Sequence, residues 1–520
     1  MPSFDPVRAT AFLDSLPDRY RGPGGVAGIV HEGRVVARHA WGFADLGRHQ
    51  PMTAGTPLPI CSISKQFTCA TLLSALGDTT RFDGRVGSFF PSLEGPLPTI
   101  AQMCHNQSGL RDYWALTVLH GATPDAPFRR SDAAAAFARM RRTHFAPGTS
   151  YSYSNGNFRV LSDLLETETG RSLDELYRAH VFGRAGMGSM VFTPDTAYPA
   201  GGVTGYEGSI DVGFFPAENR IFWTGDAGLS GSLDDMLAWE AFIDATRDDP
   251  DSLYRRIAAP PTFSDGTPAR YGYGLAHGTI AGIPVTGHGG ALRGFRAQRF
   301  HAADARLSVV VLLNHEASAY GAASGLLAAA LGASTPRPTH VADPAWNGVY
   351  LDGHAGLALR VSLECDGQLI ARYGTGPERL APGPADSAAS DTMTLHRHDG
   401  CIALERPGEN YRAEASRVAG AARPDIAGVY ACAELDSGLT IVATGGGFYA
   451  AASGFLGTGP MQPLYPLGDD VWTMPCQRSM DAPAPGDWTI RIRRSDDGRV
   501  SGLQIGCWLA RGLSYDRHGD

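Results

Sequence analysis

Beyond residue 340 the chain repeats itself weakly, and that repeat limits the architectures open to it. Gly348-Val349-Tyr350, Gly356-Leu357 and Gly374-Thr375-Gly376-Pro377 return as Gly428-Val429-Tyr430, Gly438-Leu439 and Gly457-Thr458-Gly459-Pro460, at offsets of 80, 82 and 83 residues. Strand signals dominate the stretch, so the repeat predicts two tandem antiparallel β-barrels of about 75 to 100 residues each. They are assigned to 344–419 and 423–520. Gly332-Ala333-Ser334-Thr335-Pro336-Arg337-Pro338 reads as a linker, with 335–343 joining the barrels to a first unit at 1–334. A length of 520 residues exceeds one core, in keeping with several domains. Because the linker precedes separately organised β-domains, the first unit is expected to fold alone.

Within that unit, strand signals sit at both ends and helical signals between. Two short apolar runs, 24–30 and 34–37, flank His31-Glu32-Gly33, a hairpin signature. Gly22-Pro23-Gly24-Gly25-Val26-Ala27 has a dinucleotide-binding look, but it precedes a strand instead of linking strand to helix. Helices are predicted over 132–139, 158–169 and 236–245, the last opened by the capping box Ser232-Leu233-Asp234-Asp235. Strands return at 271–275, 284–290 and 307–313, and a helix at 322–331 closes the unit. One sheet packed against helices follows.

Cys61-Ser62-Ile63-Ser64-Lys65-Gln66-Phe67 opens an apolar run that meets no Pro or Gly until Gly77, which predicts a buried helix of about four turns. A serine three residues before a lysine places both side chains on one helix face. Ser62 would sit at the helix's N-terminal end, where free N–H groups and the dipole favour an alkoxide or acyl oxyanion. Burial of Lys65 would lower its pKa, and a neutral amine can take the serine's proton. Alone, the tetrapeptide reads sooner as a helix cap followed by a surface lysine. Partners elsewhere must decide.

Composition narrows the chemistry. The balance of 44 basic and 53 acidic residues, net −9, has no long single-sign runs, which argues against a nucleic-acid or membrane partner. Met1-Pro2-Ser3-Phe4-Asp5 carries no export signal and no later stretch is apolar enough to span a bilayer, so a cytoplasmic location is expected. Eight cysteines lack Cys-x-x-Cys spacing and read as free thiols, and no His-Glu-x-x-His is present. No metal centre is expected. A Gly-x-Ser-x-Gly elbow is also missing, which disfavours an α/β-hydrolase.

The partners are Tyr153-Ser154-Asn155, 91 residues after Ser62, and His288-Gly289-Gly290, 135 after Tyr153. This ordered set resembles the serine β-lactamase and penicillin-binding-protein superfamily: Ser-x-x-Lys, Tyr-x-Asn, and His-x-Gly in place of Lys-Thr-Gly. The flanking stretches Asn106-Gln107-Ser108-Gly109-Leu110 and Ala227-Gly228-Leu229-Ser230 add to it. The resemblance implies that Ser62 attacks a carbonyl and that Lys65 and Tyr153 form a proton relay. A tyrosine, of ordinary pKa about 10, serves as a base only if positive charge such as Lys65 stabilises its phenolate. Asn155 would orient Lys65 or the substrate amide, and the N–H groups of Ser62 and Ala291 would form the oxyanion hole. Gly289 and Gly290 would let the substrate backbone lie close to their strand. His288, neutral at pH 7 if unperturbed, replaces a lysine that anchors carboxylates, so little need of such an anchor is expected.

Taken whole, the chain resembles the D-stereospecific aminopeptidases of this superfamily, closely so around 60–66 and 477–483. That resemblance implies an α+β architecture: a β-lactamase-like catalytic domain, an antiparallel sheet flanked by helices, then two eight-stranded barrels. It implies release of N-terminal D-residues such as D-alanine from peptides, amides and esters through an acyl-enzyme, without a cofactor, by a homodimer. A β-lactamase-like esterase and a penicillin-binding hydrolase or sensor are the alternatives. A last expectation concerns the loop at 477–486, bracketed by strand-like runs and stiffened by prolines. It is expected to reach the cleft and to pair Asp481 with the substrate's α-ammonium, the alternative being a solvated turn.

Overall fold

Gly24–His31 and Arg34–Asp45 form the predicted hairpin, closed by a two-residue turn in which Glu32 and Gly33 both have positive φ, 49° and 73°. That is the turn whose twist matches its flanking strands. In the computed structural model the described residues are 4–333, 340, 342–476 and 478–518. Most of the expected linker, 335–343, therefore lies outside them, as does Gln477 of the expected loop. Gly24–His31 pairs on its other edge with Leu307–Leu313, every residue of which is buried. The full antiparallel sheet runs Gln50–Pro51, Arg34–Asp45, Gly24–His31, Leu307–Leu313, Phe295–Ala302, Ile283–Leu292, Leu275–Ile280 and Tyr271–Gly272.

Alternation of side chains along Gly24–His31 feeds two cores. Ala27 and Ile29 join Val309, Val311 and Leu326 on the face covered by Pro6–Asp14 and Ala319–Ala330. Val26 and Val30 join Leu312, Phe67 and Trp239 on the face covered by Ser64–Leu76 and Leu233–Ala245. Gly28 gives the covering helix room there, since a Cβ on it would lie 2.8 Å from a Leu237 methyl, which would have to shift. The architecture is α+β, a helix–sheet–helix unit followed by barrels. No helix among the described residues is long and apolar enough to cross a membrane.

The repeated motifs open the two barrels. Gly348–Asp352 begins a closed eight-stranded barrel that ends at Tyr411–Arg417, with Tyr350 paired to Arg417. Gly428–Cys432 begins a second, ending at Ala510–His518, in which eight strands close through the pairing of Ser437–Thr444 with Gly447–Gly454. A ninth short strand, Gly457–Thr458, adds to the edge of Gly447–Gly454. Tyr350 and Tyr430, equivalent in the repeat, are both buried.

The barrels are not separate beads but pack against the first unit. One apolar cluster runs from the helix Ser64–Leu76 through Trp114 into both barrels, taking in Leu380, Trp488 and Trp508. Arg111, only 5% exposed, donates to the Arg511 carbonyl at 3.0 Å and to the Glu434 carboxylate at 2.5 Å in the second barrel. The linker's composition said nothing of surface complementarity, and complementarity is what joins these units.

Candidate active site

Ser62 lies in a tight turn, Cys61–Ile63, that leads into the helix Ser64–Leu76. Cys61 has φ 51°, the left-handed region that costs a non-glycine residue about 1 kcal/mol or more. The turn is held against the strand Ile283–Leu292 at Gly290, where a Cβ would come within 2.2 Å of the Ile60 carbonyl. A Cβ at Gly289 would lie 2.7 Å from Gln298. Both glycines line the cleft beside Ser62, but their lack of side chain is used first to seat the Cys61–Ile63 turn and the neighbouring strand.

Lys65 is fully buried one turn on, and its Nζ has three oxygen partners: Ser62 Oγ at 2.9 Å, Asn155 Oδ1 at 2.9 Å and the Asp226 carbonyl at 2.6 Å. Burial pulls its pKa down to about 8, against the charges of Asp226 and Asp112, which raise it. Lys65 is also the only lysine in a chain with 44 basic residues, the rest arginine. An arginine cannot be deprotonated in a protein, and the one position where a titratable amine is useful carries the one lysine.

Asn155 begins the helix Asn155–Thr169. Its Nδ2 and its backbone N–H both donate to Asp112 Oδ1, at 3.1 and 2.7 Å, which turns its Oδ1 toward Lys65. Asp112 caps the helix Tyr113–Leu119 through Ala115 N–H, and burial pushes its carboxyl up to about 6. Tyr113 hydroxyl in turn donates to Asp226 Oδ2 at 2.8 Å. Neither acid was singled out in the sequence, though both adjoin the stretches that carried the resemblance. Asp112 follows Asn106-Gln107-Ser108-Gly109-Leu110 by one residue, and Asp226 precedes Ala227 directly.

Tyr153 packs its ring 5.0 Å from Lys65 Nζ. Burial pushes its hydroxyl well above the ordinary value of 10, and the lowering effect of a hydrogen bond with Ser62 does not offset this. Desolvation thus favours the neutral phenol over the phenolate that a base role would need. His288 is buried and burial lowers it to about 3, so it is neutral. Its Nδ1 lies 2.5 Å from the Gly289 carbonyl, which only accepts, so that nitrogen carries the proton. Nε2 then accepts from the Tyr271 hydroxyl at 2.9 Å.

These groups open into a cleft of about 1120 Å³ that Ser62, Tyr153, Asn155, His288 and Ala291 all line. The first barrel supplies Glu378 and Arg406 to its wall, and the second supplies Trp508 and the segment Ala482, Pro483 and Ala484. Within the loop, Arg478–Ser479 and Ala482–Pro483 form a small hairpin turning at Met480. Asp481, however, faces away from the cleft. It is 3% exposed, its carboxylate accepts from the Arg220 N–H at 2.6 Å, and Arg293 lies 3.9 Å off. The expected contact with a substrate ammonium is corrected: this carboxylate is consumed in pinning the loop to the catalytic domain. Among the described residues no cluster of His, Cys, Asp and Glu is arranged to hold a metal ion.

Comparison with known proteins gives the same outline. Residues 9–333 match the family described as Beta-lactamase, and 339–516 match the one described as D-aminopeptidase, domain B. A D-aminopeptidase of Cereibacter sphaeroides is 57% identical over 97% of this chain and 98% of its own. Another, of Brucella melitensis, is 48% identical over 99% of this chain and 100% of its own. Among solved structures, the octameric penicillin-binding protein homologue from Pyrococcus abyssi aligns with a TM-score of 0.52 at 18% identity, over 79% of this chain and 100% of its own. The D-amino acid amidase from Ochrobactrum anthropi SV3, solved with D-phenylalanine, aligns with a TM-score of 0.52 at 17% identity, over 62% and 98%. At those identities the two structures speak for the fold alone.

Proposed function

We propose, from the premise that this chain belongs to the D-aminopeptidase family, that it releases N-terminal D-amino acids from short peptides, amides and esters through an acyl-enzyme on Ser62. One observation carries the mechanism. A neutral amine has two N–H groups and one lone pair, and two of the three partners of Lys65 Nζ, Asn155 Oδ1 and the Asp226 carbonyl, are oxygens that only accept. They occupy both N–H groups, and the lone pair is left facing the third partner, the Ser62 hydroxyl, at 2.9 Å. With a pKa of about 8, about one Lys65 in ten is neutral at pH 7.

In this reading Lys65 takes the Ser62 proton as Oγ attacks the carbonyl carbon. The oxyanion is met by the N–H groups of Ser62 and Ala291. Tyr153, a buried phenol bonded to Ser62, donates its proton to the leaving nitrogen as the C–N bond breaks and regains one from Lys65. Water then attacks the ester, loses a proton along the same relay, and Ser62 is restored. Neutral His288, held between Gly289 and Tyr271, keeps the strand end in place without adding charge. Residues 1–334 supply this machinery and the barrels at 344–419 and 423–520 shape its mouth. The enzyme acts as a homodimer in the cytoplasm, a compartment that suits eight unbridged cysteines.

The test is an assay of D- and L-alanine amides, with nitrocefin and short-chain esters alongside. Release from the D-amide alone is expected, with mass spectrometry finding an acyl adduct on Ser62 that Ser62→Ala abolishes. Turnover of nitrocefin or of the L-amide at a comparable rate would refute the reading, as would an adduct retained in the variant.

A further inference from the structure

The cleft is much larger than an alanine amide needs, and its charged lining is almost entirely neutralised from within. Arg296 pairs with Glu316 at 2.9 Å. Arg406 is gripped by Glu409 at 2.7 and 3.0 Å and by Glu378 at 2.6 Å. Asp112 is occupied by Asn155. That leaves Arg270, which lines the same cleft and among the described residues has neither an ion-pair partner nor a protein acceptor for its guanidinium.

Arg270 is nonetheless held in place. Its N–H donates to the Gly408 carbonyl at 3.4 Å, and its own carbonyl accepts from His277 N–H at 2.7 Å. Its stem lies against a first-barrel turn so closely that a Cβ on Gly408 would sit 2.2 Å from Arg270 Cδ. Tyr271, the next residue, holds His288. The pairing of Leu275–Ile280 with Ile283–Leu292 stops at Ala276 and Gly287, and from His288 onward the strand lines the same cleft as Arg270. A guanidinium with a fixed stem and no counter-charge is a preorganised anion site.

We propose that Arg270 binds the C-terminal carboxylate of the peptide that leaves after the D-residue is acylated onto Ser62. This rests on the function proposed above. The residue that is released carries an ammonium, which a cation repels, and its own carboxyl carbon is the reacting centre. A short peptide's remaining anion is the carboxylate at its far end, on the leaving side. The carboxylate anchor that neutral His288 does not provide is thus supplied from the bend ahead of Tyr271–Gly272, and the enzyme selects short peptides with a free C-terminus.

The experiment compares D-Ala-Gly, D-Ala-Gly-Gly and D-Ala-Gly-Gly-Gly, each as free acid and as C-terminal amide, with D-alanine amide as reference. In the parent, kcat/KM for the free acid of at least one length should exceed that of its amide by about ten- to hundred-fold, mainly through KM. The ratio should shrink as salt is added. In Arg270→Leu it should fall toward one, and in Arg270→Lys part of it should remain, because a lysine keeps the charge without the fork. A parent active on D-alanine amide but indifferent to C-terminal amidation at every length overturns the proposal, as does a ratio that survives in Arg270→Leu. A parent inactive on D-alanine amide refutes the aminopeptidase reading instead, and this inference with it. Should Arg270→Leu not fold, the parent ratio and Arg270→Lys still decide.

Discussion

Lys65 concentrates the site's chemistry in one side chain that can be watched alone. Because it is the only lysine, a protein labelled with 15Nζ-lysine should show a single side-chain amine signal, titrating near pH 8 instead of near 10.5. The sign for activity follows. If the neutral amine is the base, kcat/KM should rise about tenfold per pH unit below 8 and level off above it. His288, at about 3, and Tyr153, well above 10, should add no limb between pH 5 and 9. A flat profile with Lys65 titrating near 8 would separate the lysine from the proton transfer.

Asp112 acts on the same atom from one step away. Its negative charge raises Lys65, and its grip on Asn155 aims an acceptor at the amine. In Asp112→Asn the lost charge should move the acid limb to lower pH, while the loosened Asn155 should lower the plateau by about tenfold or more. A role in helix capping alone would cost stability without moving the limb, so the pH profile distinguishes the two.

At the scale of elements, the hairpin that begins at Arg478–Ser479 shows how one loop divides its work. Asp481 and Arg478 bind the catalytic domain through Arg220 N–H and Glu207, while Ala482 to Ala484 face the cleft. Asp481→Ala removes the charged acceptor of the half-buried Arg220 N–H, a charge-assisted hydrogen bond, at a cost of about 1–3 kcal/mol. Thermal unfolding should register that loss, with KM for D-alanine amide changed by loosening of the loop, not by loss of a charge contact. N-blocked esters should consequently suffer as much as the free amine. Deleting residues 480–485 removes a wall of the cleft and should admit N-acylated or β-lactam substrates that the parent rejects. A deletion with an unaltered substrate range would show that the wall excludes nothing.

For the whole molecule, the barrels take part in the geometry of the residues around Ser62. Asp112 N–H donates to the Leu509 carbonyl at 3.0 Å, and Ser150 and Tyr151, just ahead of Tyr153, bond the Glu409 carbonyl at 2.7 and 3.1 Å. Both barrels thus hold the loop that presents Tyr153 and Asn155. A chain ending at residue 333 should accordingly aggregate or expose apolar surface to a hydrophobic dye, since its core is cut open, and should lose activity even on D-alanine amide. Full activity in that shorter chain would show that the barrels do not support the site.

How much of this was open to a reader of the chain depends on how far each interaction reaches along it. The hairpin turn at Glu32-Gly33, the helix behind Ser62, the lysine one turn on and the twin starts at Gly348 and Gly428 are set by neighbours within a few residues or by a repeat period, and they were legible. The lone lysine was legible too, and went unused. Local spacing carries no information about which surfaces meet. Asp112 and Asp226 closing on Lys65, Trp508 walling the cleft and an Arg270 guanidinium without a partner among the described residues arise where segments up to hundreds of residues apart pack together. Protonation is likewise a property of surroundings. Tyr153 is a phenol because burial strips its water, and Asp481 is spent on Arg220 because the fold turns it inward. Residue order supplies the groups and their local handedness; only packing assigns each one a dielectric, a partner and a direction.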